Sequence, residues 1–176
     1  STAGFQATMA FQYEQFFREN ENCFQMSVLI GNRLCTHAGV GNDFLKDVGF
    51  WKMDNADESM ISDYLNDLFL YKPNEFTFDG SYDRNNTGVI PSYYGDDDWQ
   101  SPVWIRPKSL QRVNKKTDLK KNYIQIVGHT QQDHIDIKGK TTGGKYYYID
   151  TLPSGEYLID VDGEFEIGYA TIVKYT

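Results

Sequence analysis

Two of the three histidines stand at the ends of apolar runs, each beside small residues. One run is Leu34-Cys35-Thr36-His37-Ala38-Gly39-Val40 and the other is Ile126-Val127-Gly128-His129-Thr130. A His delivered by a buried strand, next to residues with little or no side chain, can point into a cleft and ligate a metal. Imidazole suits Zn, Fe, Mn or Ni sites with mixed nitrogen and oxygen ligands. The competing role for each is a structural histidine satisfied by hydrogen bonds. The third, His134 in Gln131-Gln132-Asp133-His134, reads as a surface residue.

Two further stretches carry usable chemistry. Val103-Trp104-Ile105-Arg106 offers a guanidinium whose planar fork matches two phosphate oxygens. The alternative for Arg106 is an ion pair with Asp96, Asp97 or Asp98 that ties down a loop, and Trp104 reads as packing. Tyr147-Tyr148-Ile149-Asp150-Thr151 ends a third apolar run, and Asp150 reads as a support for that strand end rather than a metal ligand. Cys23 and Cys35 lack Cys-x-x-Cys spacing and read as free thiols in a reducing compartment, so a cytoplasmic location is expected.

These residues must be positioned by a chain of 176 residues, which fits one domain and can bury a core. Apolar residues make up 40% and aromatics 15%, with 13 Tyr and 11 Phe, a composition that favours strands over disorder. The net charge of −8 argues against a general nucleic-acid binder. No run approaches the ~18 apolar residues of a membrane span, and no leader pattern stands at Ser1. One segment runs against the acidic balance: Arg106, Lys108, Arg112, Lys115, Lys116, Lys120 and Lys121 face a single Asp118. It is either a solvated face or a rim that attracts an anionic substrate.

Periodicity predicts a helix over Phe5–Glu19 and a stronger one over Asp57–Leu70, where Ile61, Tyr64, Leu65 and Leu68 share a face. Tyr71-Lys72-Pro73 stops the second. Phe24–Ile30 and Arg33–Ala38 read as a hairpin across Gly31-Asn32. Residues 73–120 are largely loop-rich, an insertion or cap, with a short helix expected over Ser109–Lys116. Tyr123–Val127 and Tyr146–Ile149 read as strands. Tyr157–Val161 and Phe165–Tyr175 read as a hairpin across Asp162-Gly163. The fold class expected is α+β.

In order, Thr36-His37-Ala38-Gly39, Val103-Trp104-Ile105-Arg106, Gly128-His129-Thr130 and Tyr147-Tyr148-Ile149-Asp150-Thr151 form a series that resembles the C-terminal half of calcineurin-like metallophosphoesterases. It is most similar to the lambda-phage-type Ser/Thr protein phosphatases and the diadenosine tetraphosphate hydrolases. The likeness covers most of Phe24–Thr176 and is loose from Asp43 to Tyr94. It implies that His37 and His129 bind one metal of a dinuclear pair and that Arg106 holds the substrate phosphate. Two divalent ions are implied, Mn first, with Fe, Zn or Ni as alternatives. Such a pair, about 3.5–4 Å apart, neutralises the phosphate and lowers the pKa of a bridging water for in-line attack. The implied fold is part of an α/β/β/α sandwich, a largely antiparallel sheet with two main helices.

The family's other motifs, Gly-Asp-x-His-Gly, Gly-Asp-x-x-Asp-Arg-Gly and Gly-Asn-His-Glu, do not occur here. Asp79-Gly80-Ser81-Tyr82-Asp83-Arg84-Asn85 is a chance echo of the second. Leu152-Pro153-Ser154-Gly155 also replaces the glycine that usually follows Ile-Asp-Thr, which reshapes the neighbouring loop. The expectation is therefore the C-terminal portion of a phosphoesterase acting on phosphoproteins or small phosphoesters, inactive alone. The missing N-terminal half is expected in cis or in trans, either because the chain is a fragment or because a partner chain carries that half. An uncovered sheet makes self-association an expected hazard. The alternative is a non-catalytic acidic β-rich binding or structural module whose motifs are relics.

Overall fold

The computed structural model describes residues 6–76, 98–115, 124–138 and 145–170. Asp79–Asn85, Asp96, Asp97, Lys116, Lys120 and Lys121 lie outside them. The sequence expectations that fall on those residues therefore have no structural counterpart here.

A single turn at Ala7–Met9 leads into helix α1, Ala10–Glu19. Strands β1 (Ser27–Ile30) and β2 (Arg33–Thr36) follow, joined by a tight turn in which Gly31 takes φ +62°. After β2 come α2 (Asn42–Asp47) and α3 (Ile61–Tyr71). Asp57 caps the turn before α3 by accepting from the Ser59 N–H at 3.0 Å. Helix α4, Pro107–Lys115, precedes β3 (Ile124–Val127), β4 (Asp136–Lys138) and β5 (Lys145–Tyr148). The chain then makes a hairpin of β6 (Glu156–Val161) and β7 (Glu164–Tyr169). Asp162 at φ +51° and Gly163 at φ +101° form its turn, as the Asp-Gly pair predicts.

The main sheet has the order β1-β2-β3-β5-β4. Its outer pairs, β1–β2 and β5–β4, are antiparallel, whereas β2–β3 and β3–β5 are parallel. The expectation of a largely antiparallel sheet is thus corrected to a mixed one with a parallel centre. Parallel neighbours need long crossovers. The connection from β2 to β3 carries α2, α3 and α4; the two main helices expected are α1 and α3, the longest among the described residues, the short one expected is α4, and α2 was not anticipated. Strand β4 was not anticipated.

Register decides which residues face which layer. Leu34, Gln125 and Tyr146 are aligned, and so are Thr36, Val127 and Tyr148. This face meets the helices. Leu34 packs with Phe44, Leu45, Phe50, Ile61 and Leu65, and Val127, Tyr146 and Tyr148 pack with Leu110 and Val113 of α4. Cys35, Ile126 and Tyr147 point to the other face. There the β6–β7 hairpin covers them, with Phe165 4.5 Å from the Tyr147 ring and Arg33 paired to Asp160 at 3.1 Å. Both cysteines are free, and burial pushes the Cys35 thiol pKa up. Among the described residues no helix is long and apolar enough to cross a membrane.

Candidate functional site

The parallel centre of the sheet determines where the chemistry-bearing residues go. Thr36, Val127 and Tyr148 end β2, β3 and β5 in one row. His37, the Gly128-His129-Thr130 segment and Asp150 therefore leave the sheet along the same edge. The carboxyl ends of parallel strands are the usual ligand-binding edge of such sheets, because loops diverge there. The Gly128 N–H donates to the His37 carbonyl at 2.9 Å, which continues the ladder past the strands.

The exit of β2 is held by buried polar side chains. Gln125 accepts from the Val40 N–H at 2.7 Å and donates to the Val40 carbonyl at 3.0 Å. Asn114 of α4 donates to the same carbonyl at 3.0 Å and accepts from the Asn42 N–H at 2.9 Å. Just before these anchors Gly39 takes φ +107°, and a Cβ there would clash with a Leu110 methyl. Glycine is needed on both counts. His37 thus sits at the start of a clamped turn.

His37 and His129 come together. Nε2 of His37 lies 2.9 Å from Nδ1 of His129, and the rings are 4.8 Å apart, nearly edge to face. Two nitrogens bound at ~2.1 Å to one ion, at a right angle, are ~3.0 Å apart. The spacing fits a shared ion. It also fits a hydrogen bond between two neutral imidazoles, one of them acting as N–H donor. His129 stands at φ +62°, in the left-handed region. For a non-glycine residue that conformation costs about 1–3 kcal/mol and clusters at functional sites. Nothing in the residue pattern signals it beyond the preceding Gly128.

Both rings favour the neutral form. Burial lowers the His37 pKa, against an opposing pull from the Asp150 charge. The His129 pKa is pushed down to about 4, by burial first and then by the charges of Arg106 and His37. Its Nε2 is buried with no hydrogen-bond partner, and contact of the ring with the Trp104 backbone works the other way on its pKa. Neutral imidazole is the form that can ligate a metal.

Residues 101–106 close one side. The Ala38 N–H donates to the Pro102 carbonyl at 2.7 Å, which ties this segment to the exit of β2. The Trp104 ring lies 5.2 Å from the His129 ring, and the Arg106 guanidinium lies 5.4 Å from the centre of the Trp104 ring. Arg106 Nη1 donates to the Thr130 hydroxyl at 3.2 Å. Asp98, one of the partners considered for Arg106, pairs with Arg112 instead, with Nε to Oδ1 at 2.7 Å. Asp150 sits beside His37 and accepts through its carbonyl from the Gln132 N–H at 2.8 Å. The Leu152–Gly155 loop after it is a tight turn, with the Ser154 and Gly155 N–H groups both donating to the Thr151 carbonyl and Leu152 exposed. His134 is remote in role: it is exposed and pairs with Glu156 at 2.7 Å.

Four residues singled out from the sequence, His37, Arg106, His129 and Asp150, therefore meet at one edge. Among the described residues, no group of three or more His, Cys, Asp or Glu side chains is placed to hold a metal ion. The roles of Trp104 and Thr130 were not foreseen, since contacts between loops leave no periodic trace. No protein family, curated protein sequence or solved structure matches the chain.

Proposed function

We propose that this chain carries the His and Arg portion of a dinuclear-metal phosphoesterase site that hydrolyses phosphomonoesters or phosphoproteins. One observation carries the reading: His37 and His129, from different strands, place ring nitrogens 2.9 Å apart, with Arg106 close enough to act on His129. The motif series in the sequence supplies the reaction class. The spacing is consistent with it.

In this reading His37 Nε2 and His129 Nδ1 are the two nitrogen ligands of one ion. Both need a lone pair there, so each ring proton sits on the other nitrogen. Asp150 stands near enough for its charge to act on His37, and in this reading it supports the strand end beside that ligand. Arg106, braced by Thr130, presents its fork to phosphate oxygens. When bound, a pair of divalent ions (Mn first; Fe, Zn or Ni as alternatives) supplies charge neutralisation and activates water. The remaining ligands are carboxylates from polypeptide outside these 176 residues, in cis or in trans. Two histidines fall short of the roughly four or more ligands that such centres use.

The test uses the isotope-labelled chain with added Mn²⁺. Paramagnetic broadening is expected to concentrate on His37, Gly128, His129 and Asp150, with no hydrolysis of p-nitrophenyl phosphate. Broadening spread evenly over the surface acidic residues would sink the metal assignment. Robust Mn²⁺-dependent hydrolysis by this chain would sink the claim that ligands are missing.

A further inference from the structure

We infer that Trp104 is the positioning residue of this edge, a single indole that sets where both His129 and Arg106 stand. The inference rests on the proposed two-histidine metal site and adds a part to it that the motif series does not assign.

His129 has a backbone held on both sides, by the Gly128 N–H on the His37 carbonyl at 2.9 Å and the Thr130 N–H on the Gly128 carbonyl at 2.7 Å, but these bonds do not reach its ring. It sits in a left-handed conformation at a loop tip just past β3, and its neighbours in sequence are Gly128 and Thr130. A ring at such a place needs a wall to keep one rotamer. The indole of Trp104 is that wall, tilted 51° at 5.2 Å. The Trp104 backbone also contacts this imidazole, whose Nδ1 is directed at His37.

The same indole carries Arg106. A guanidinium over an indole face is held by the ring quadrupole, and such contacts grow stronger when shielded from water. Arg106 has a second hold on the Thr130 hydroxyl, one residue past His129. The fork and the imidazole are thus referenced to one rigid ring rather than to two independent loops. That ring is itself anchored. The Trp104 N–H donates to the Ser101 carbonyl at 3.0 Å, Ile105 beside it is fully buried, and Pro102 is bonded to Ala38. The chain Ala38–Pro102–Trp104–His129 connects the exit of β2 to the exit of β3 around the site, not only through the sheet.

A role in positioning predicts that the flat face matters and bulk alone does not. The experiment measures Ni²⁺ binding to the untagged chain by calorimetry. It compares wild type, His37→Ala, His129→Ala, Trp104→Phe, Trp104→Leu and Trp104→Met, with circular dichroism and thermal melts alongside. The expected result is saturable one-site binding in wild type, lost in both alanine variants. Trp104→Leu and Trp104→Met are expected to weaken it about tenfold, as loss of an outer-shell support does. Trp104→Phe, which keeps a ring face, is expected to stay within about twofold of wild type. Leucine and methionine variants that bind as wild type does would overturn the inference and leave the two-histidine site standing. A phenylalanine variant as weak as leucine, with equal melting temperatures, would also overturn it. If the alanine variants bind as wild type does, the two-histidine site fails and the inference goes with it. Should Trp104→Leu not fold, the comparison of phenylalanine with methionine carries the same decision.

Discussion

Helices α1 and α3 are alike in length and in apolar content on one side, yet their surroundings differ completely. Over eleven residues α3 buries Ile61, Ser62, Leu65 and Leu68. In α1, ten residues long, no residue is buried, and Phe11, Phe16 and Phe17 are 74%, 54% and 53% exposed. Phe16, Phe17 and Phe24 instead pack on one another, with ring centres 4.9–6.3 Å apart. Beside them lies a groove of about 1110 Å³ lined by Phe17, Phe24, Met26, Phe69 and Leu70. An apolar stripe states which side of a helix avoids water. Whether anything covers that side depends on what the rest of the fold brings there.

The sharpest test of this contrast is a pair of truncations. Leu65→Ala, at a fully buried position, is expected to cost about 2–5 kcal/mol in urea unfolding. Phe16→Ala is expected to stay within about 0.5 kcal/mol despite removing a larger side chain. Equal costs would mean that α1 is packed as firmly as α3.

A second effect separates the helices through their polar residues. Asn66 of α3 accepts from the Met26 and Ser27 N–H groups at 2.8 and 3.1 Å and donates to the Ser27 carbonyl at 3.0 Å, which fastens β1 to α3. Asn66→Ala leaves these main-chain groups without their partner and is expected to cost about 1–3 kcal/mol. The exposed α1 pair Glu14–Arg18, at 2.7 Å, is its counterpart. Glu14→Gln is the smallest change expected, within about 0.5 kcal/mol.

Between these extremes lie two medium effects. If the aromatic face of α1 is open, the chain associates with itself as concentration rises, and a Phe11→Ser, Phe17→Ser variant should sediment at a lower average mass. Identical sedimentation of the two proteins would argue that the face is not sticky. The other concerns pH. Glu156 accepts from the Ile135 N–H and from His134, both at 2.7 Å, and these contacts hold its carboxyl below the usual carboxylate range. A lowered folded-state pKa means that the ionised form favours the fold. Its contribution is present above the unfolded value of 4.5 and is lost as pH falls through the folded one. The melting temperature of wild type should therefore exceed that of Glu156→Gln at pH 7, with the gap closing below about pH 4.5. A gap that widens on acidification would reverse the assignment.

Much of this organisation was legible in the residues. Asp162-Gly163 specified a hairpin turn because both positions tolerate positive φ, and the structure uses it that way. Helix α3 was readable from Ile61, Tyr64, Leu65 and Leu68, and α4 was anticipated within two residues at each end. The direction of the central strands was not readable. A strand such as Ile124–Val127 has the same four apolar-rich residues whether its neighbour runs parallel or antiparallel, and its pairing with β2 is decided by contacts 91 residues away in sequence.

By itself, the sequence determined local matters. These are the turns at Gly31 and Asp162-Gly163, the buried stripe of α3, and the delivery of His37, His129 and Asp150 each just past an apolar strand. All follow from backbone allowances and from periodicity within a few residues. Only the tertiary structure decided that β2, β3 and β5 lie side by side and parallel, so that those three exits share one edge and two imidazoles meet at 2.9 Å. It also decided that Trp104 lies against both His129 and Arg106, and that α1 stays uncovered among the described residues while α3 is buried. Those outcomes depend on which surfaces exclude water together, a property of the whole packed chain and of no single segment.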